Sequence, residues 1–180
     1  MADARAEVRV FPAIEESLAP SALEREVVDQ FDQTRDRLLR YLLGFGLSMH
    51  DCEEVVQETF LALFQHLQRG RSRRNLQGWL FRVAHNLGLR KRQRTKKTEE
   101  IGDSVVDPTP NPEDQCATSQ TQRRMLAAVD ALPELDRRCL ALRAEGLRYR
   151  EIAEILDISL GGVALALGRS LARIARVAER

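Results

Sequence analysis

The stretch Thr98–Gln115 (TEEIGDSVVDPTPNPEDQ) constrains the fold more than any other feature of the chain. It holds three prolines and a cluster of acids and has no helical period. It therefore reads as an extended linker, not as part of a core. A connection of that length inside one domain is uncommon, so the chain divides into two bodies. Its 180 residues have room for one ordinary domain or two small ones. The charge pattern turns over at the same place. Between Thr59 and Thr98 there are eleven Lys or Arg and no Asp or Glu, whereas Thr98 to Gln122 holds six acids and no Lys or Arg. The net charge of +1 thus conceals two strong local fields of opposite sign. A solvated basic face beside an unrelated acidic loop is the plain alternative.

Composition narrows the class. Apolar residues are 43% and charged residues 31%, as in a charge-rich helical protein. Aromatics at 5%, with six Pro and ten Gly, argue against a strand-rich sandwich. No apolar run approaches the roughly 18 residues of a spanning helix. The N-terminal segment mixes acids with Arg and lacks the apolar stretch of a signal peptide. Cys52, Cys116 and Cys139 are odd in number and widely spaced, which gives no disulfide framework. These features predict a cytoplasmic protein without membrane insertion.

Residues 1–22 carry Pro12 and Pro20 without a sustained period and read as a mobile extension. Val27, Phe31, Leu38, Leu42 and Phe45 recur at helical spacing, and Gly44 and Gly46 end that helix. Ser48 with Asp51 has the form of a capping box for a second helix, whose inward face is Val56, Phe60, Leu63 and Leu67. Gly70 closes it. Asn75 is placed to cap a third helix with Leu76, Leu80, Val83 and Leu87 inward and Trp79 beside them.

Beyond the linker, Met125, Val129, Leu132, Leu140 and Leu142 mark helices broken near Pro133, and Gly146 ends that run. Tyr149 to Leu156 then makes a short amphipathic helix with Ile152, Ala153 and Leu156 inward. Asp157-Ile158-Ser159 makes a turn, and Val163, Leu167, Leu171 and Ile174 line a further helix. This is the helix-turn-helix plan, in which the second helix enters a DNA major groove. A plain helical hairpin has the same pattern and stays open here.

Three stretches in order carry a family resemblance: RDRLLRYLLGFGLSMHDCEEVVQETFLALFQHL, NLQGWLFRVAHNLGLRKRQR and LPELDRRCLALRAEGLRYREIAEILDIS. From about Val27 to Ala178 the chain resembles the bacterial extracytoplasmic-function sigma factors of the sigma-70 family. The resemblance implies an all-α fold of two small helical domains joined by an acidic flexible linker, the second domain with a helix-turn-helix. The boundaries are an extension over 1–22, a region 2-like domain over 23–97, the linker over 98–119 and a region 4-like domain over 120–180. It implies core RNA polymerase and promoter DNA as partners, and an anti-sigma protein as a further partner. The first domain would grip the polymerase clamp and melt the minus-ten element, and the last would bind the minus-thirty-five element. The linker would thread toward the polymerase active centre, its acids imitating nucleic acid; a simple spacer has the same composition.

The residues agree with that division. Asp51, Glu53, Glu54 and Glu58 make the second helix acidic, which suits a basic groove on a partner protein. By resemblance Asp51, Glu54, Gln57, Glu58 and Phe60 would meet the polymerase, with core packing the other reading of Phe60. Arg82, Asn86, Arg90 and Arg94 recur every four residues, a stripe able to follow a phosphate backbone. Open strands also need flat platforms for unstacked bases, and Trp79, Phe81 and His85 are available, Trp79 with the stronger claim on the core. Lys91, Arg92, Lys96 and Lys97 extend the phosphate contacts. In the helix-turn-helix, the resemblance makes Tyr149, Arg150, Ser159, Arg169 and Arg173 the candidate DNA contacts, with Arg176 beyond them.

One departure bears on DNA reading. The recognition helix opens Ser159-Leu160-Gly161-Gly162-Val163-Ala164-Leu165, without the side chains that hydrogen-bond base edges. Duplex reading is then weak, shape-based or replaced by a protein contact, for which Leu165 is suited. That pattern keeps a second function open, a sigma-like regulator without specific duplex readout. An ordinary dimeric repressor fits the block order poorly. No catalytic constellation, cofactor motif, metal set or small-molecule substrate site emerges; His50, with Cys52 and Cys139, lacks zinc-site spacing.

Overall fold

The computed structural model describes residues 21–99 and 120–178. The N-terminal extension, the acidic linker over 100–119 with Cys116, and residues 179–180 lie outside them.

Three helices form the first unit: α1 (Ala22–Leu43), α2 (Met49–Gln68) and α3 (Leu76–Glu99). Ser21 starts α1 through a full capping box. Its hydroxyl accepts the Glu24 N–H at 3.2 Å, and the Glu24 carboxylate accepts the Ser21 N–H at 2.6 Å. Gly46, at φ +74°, turns the chain toward α2. There the Ser48 hydroxyl accepts the Asp51 N–H and donates to the Asp51 carboxylate. Asn75 precedes α3 in a left-handed conformation, and its Oδ1 accepts the Gly78 N–H at 3.2 Å.

The common core comprises Leu38, Leu42, Leu63, Leu80, Phe81 and Ala84, all fully buried. At Gly88 a Cβ would stand 2.8 Å from Leu42 Cδ2, so glycine lets α3 lie close against α1. The inward face of α3 is therefore Leu80, Phe81, Ala84, His85 and Gly88. It is not the Leu76–Leu80–Val83–Leu87 stripe that the spacing favours; Val83 and Leu87 are half-buried. The reason is that α3 packs on α1, α2 and the second unit together. A stripe drawn for one partner does not describe it.

The second unit has four helices: α4 (Gln120–Asp130), α5 (Glu134–Ala144), α6 (Tyr149–Leu156) and α7 (Leu160–Ala178). Pro133 stands at the N-cap of α5, where its missing N–H costs nothing. Asp157 closes α6 at φ +54°, and the chain turns 103° into α7. That angle falls in the range of a helix-turn-helix. Ile152, Val163, Ala166 and Leu167 fill the angle between the helices. Leu171 is exposed, against the expected inward face. Ser170 takes the buried position beside it and donates to the Ala166 carbonyl at 2.8 Å.

The two units touch. The α5–α6 turn lies on α1, and α6 lies on α3. No single helix among the described residues is long and apolar enough to cross a membrane.

Candidate nucleic-acid interface

On α2 the acids fall into two groups. Asp51 and Glu54 face α3 and share Lys91: the ammonium donates to Asp51 Oδ1 at 3.0 Å and to the Glu54 carboxylate. The Lys91 bond is the largest influence lowering the Glu54 carboxyl below its ordinary value. At Asp51, burial pulls the other way but is outweighed by the hydrogen bonds from Ser48 and Lys91. Gln57 and Glu58 stand in solvent.

Phe60 does not. It is buried, with its ring edge-on to Phe31 at 4.9 Å, so the expected surface contact through Phe60 is corrected to a core role. The adjacent Leu61 is 59% exposed, one turn after Gln57. A fully apolar side chain turned out beside an acidic surface is what the sequence reading missed. The i, i+4 relation of Gln57 and Leu61 was the available signal.

Along α3, Arg82, Asn86, Arg90 and Arg94 are exposed on one side, and Arg90 Nε donates to the Asn86 carbonyl at 3.3 Å. The stripe exists as spaced, but its flanks are engaged: Lys91 on α2, and Arg92 with Glu134 of α5.

Two of the three expected flat platforms are interior. Phe81 is fully buried. His85 is 4% exposed and hydrogen-bonded through Nδ1 to the Tyr41 hydroxyl at 2.7 Å. Burial pushes the His85 imidazole down to about 4, with the nearby Arg138 charge acting in the same direction. A ring enclosed in the core has no face open to a base, so its expected role is corrected as well. Trp79 remains half-exposed, and its neighbour is His66, with ring centroids 4.6 Å apart. His66 Nε2 is 3.0 Å from the Ser72 carbonyl oxygen. The two rings are tilted 41° to each other, next to Arg71 and Arg74, which are exposed.

In the helix-turn-helix, Tyr149 and Arg150 are exposed at the start of α6, and the Arg143 guanidinium lies 5.9 Å from the Tyr149 ring centre. The Ser159 hydroxyl accepts the Gly162 N–H at 3.0 Å, a capping role. Arg169 is held by Asp136 in a two-pronged pair, Nε to Oδ2 at 2.9 Å and Nη2 to Oδ1 at 2.7 Å. The Arg169 bond chiefly holds the Asp136 carboxyl below its usual range. Asp136 is 1% exposed, so Arg169 first of all neutralises a buried charge. The Arg169 side chain is itself 59% exposed and lines one cleft with Arg173 and Arg176. Arg173 and Arg176 are exposed beyond it, and Leu160 and Leu165 are exposed where base edges would be met.

Comparison with known proteins adds to this geometry. Residues 30–98 match the model "Sigma-70 region 2" and residues 122–174 match "Sigma-70, region 4". The ECF RNA polymerase sigma-E factor of Haemophilus influenzae is 31% identical over 170 residues, covering 82% of this chain and 89% of that protein. The ECF RNA polymerase sigma factor SigE of Mycolicibacterium smegmatis is 35% identical over 137 residues, 73% of this chain but only 53% of that protein's length. Among solved structures, the sigma factor RpoE of Bartonella quintana, crystallised with the anti-sigma factor NepR, superposes with a TM-score of 0.68. It is 16% identical and covers 86% of this chain and 98% of its own, a likeness of fold. With both diagnostic regions in order and a full-length relative above 30% identity, the chain belongs to the extracytoplasmic-function sigma factors of the sigma-70 family, non-enzymatic factors that direct RNA polymerase to start transcription at promoters.

Proposed function

We propose that this chain, acting in the cytoplasm, divides the work of initiation between its two units. The exposed side of α2, with Gln57, Glu58 and Leu61, meets core polymerase, and Asp51 and Glu54 hold that helix to α3 through Lys91. The Arg82–Asn86–Arg90–Arg94 side of α3 follows the separated strand, with the Trp79–His66 surface as its platform. The carrying observation is that this basic stripe is solvent-facing along α3 while the opposite side is core.

The second unit binds the upstream element through Tyr149, Arg150 and Arg173, by phosphate contact and groove shape more than by base hydrogen bonds. The exposed Leu160 and Leu165 favour a second reading of this unit, as a surface that takes a partner protein such as an anti-sigma factor. The acidic linker remains a proposed nucleic-acid mimic in the polymerase channel.

The test pairs Arg82→Ala with Arg90→Ala. Promoter opening by the reconstituted holoenzyme should fall and become less salt-sensitive, by roughly 0.7 in log–log slope per lost single-strand phosphate contact. Binding of core polymerase should stay unchanged. An equal loss of polymerase binding contradicts the division of labour.

A further inference from the structure

From Leu160 to Gly168 no side chain of α7 can donate or accept a hydrogen bond. These are the turns that a helix-turn-helix lays against base edges in the major groove. The donor and acceptor pattern of a base pair is therefore not read there. One feature of the groove floor needs no hydrogen bond: the 5-methyl group of thymine, which is recognised by apolar contact.

The exposed side of the first two turns of α7 suits such contact. Leu165 is 65% exposed, the most of any large apolar side chain among the described residues, and Leu160 is 48% exposed. Ala164 is exposed with them. On the other side of the helix Val163, Ala166 and Leu167 are buried, which sets its rotation and keeps the two leucines outward. A Cβ at Gly168 would meet nothing within 4 Å, and one at Gly161 only Ser159 Oγ at 3.9 Å. The helix surface is low at both points, so its backbone can come close to a groove floor.

Charge decides in favour of DNA as what covers this patch. α7 contains no Asp or Glu, and Arg169, Arg173 and Arg176 follow the apolar turns, all exposed. Arg148 and Arg150, also exposed, stand at the start of α6, the helix that crosses the phosphate backbone in this motif. Cations before and after an apolar patch match phosphates on either side of a methyl-bearing floor. Selectivity has a second source. A leucine laid on a G·C pair takes polar base edges out of water without giving them a partner, which is costly.

We infer that Leu160 and Leu165 determine the specificity of the second unit: they select A·T pairs in the upstream element by contact with the thymine 5-methyl group. This rests on the reading of that unit as a duplex contact. Arg150 and Arg173 hold phosphates and add affinity without regard to sequence.

The experiment uses the full chain assembled with core polymerase and a promoter fragment found by start-site mapping, its upstream block randomised. Sequencing of the bound fraction should show A·T pairs enriched within that block. Uracil then replaces thymine at the enriched positions; it pairs with adenine in the same way and lacks only the 5-methyl. Affinity should fall about fourfold for each methyl removed, as for one buried CH2 group. Leu160→Ala together with Leu165→Ala, both surface changes, should bring the thymine-to-uracil affinity ratio close to one. Arg173→Ala should weaken both fragments alike and leave the ratio as it is. Equal binding of thymine and uracil fragments, or enrichment of G·C pairs, overturns the methyl contact while duplex binding stands. A ratio that survives the double leucine change overturns the assignment to Leu160 and Leu165. No enrichment, with Arg173→Ala harmless, overturns the duplex reading itself and gives the patch to a partner protein.

Discussion

His85 separates what a residue's type promises from what its position permits. An imidazole among arginines looks like a base platform, yet burial beside Tyr41 keeps it neutral, at about 4. In the unfolded chain the same ring titrates near 6.5, so between about 4 and 6.5 the unfolded state binds more protons. The His85 contribution is fully present above about 6.5 and is lost as pH falls toward 4, to the extent of about 3 kcal/mol. Thermal unfolding at pH 7 and pH 4.5 measures it. His85→Gln, which keeps a partner for Tyr41, should flatten that loss, and an unchanged acid slope would contradict the assignment.

Phe60 and Leu61 make the same point on α2. Replacing the exposed Leu61 with Ala should weaken polymerase binding, by about 1 kcal/mol if it is desolvated there, with little change in melting temperature. Sequence identifies an acidic, partly apolar helix at this place. Which of two adjacent apolar side chains turns outward depends on where α1 lands, and that is a tertiary outcome.

At the scale of elements, the helices were legible because their caps and breakers are local. Ser48, Asn75, Gly46, Gly70 and Gly146 act through their own backbone neighbours. The Ser21–Glu24 box was equally local and went unread. The rotation of α3 and the exposure of Leu171 were not legible, because each depends on several packed partners at once.

The recognition helix carries a prediction of its own. A Cβ at Gly161 would meet nothing closer than Ser159 Oγ at 3.9 Å. Gly161→Ala should therefore stabilise α7 by roughly 0.5–1 kcal/mol, read as a higher denaturant midpoint. Arg169→Ala should do the opposite, lowering the denaturant midpoint, because it strands the buried Asp136 carboxylate. Arg173→Ala should leave stability nearly untouched. Similar melting of the two arginine variants would contradict the anchoring role of Arg169.

For the whole molecule, the acidic, proline-rich stretch pointed to two helical units, and the family motifs pointed to a sigma factor. That the units dock, with Glu145 reaching Arg37 and Arg40 more than a hundred residues away in the chain, had no signal in spacing or composition. Long-range ion pairs join residues whose sequence neighbourhoods are unrelated. The central claim is that this polypeptide gives core RNA polymerase a choice of promoter. Transcript start sites mapped in vitro, from a genomic fragment library with core polymerase alone and with the chain added, test it most directly. The account predicts a discrete set of starts that appears only with the chain and disappears when Arg82 and Arg90 are both alanine. The same starts with and without the chain, or none in either case, would contradict it.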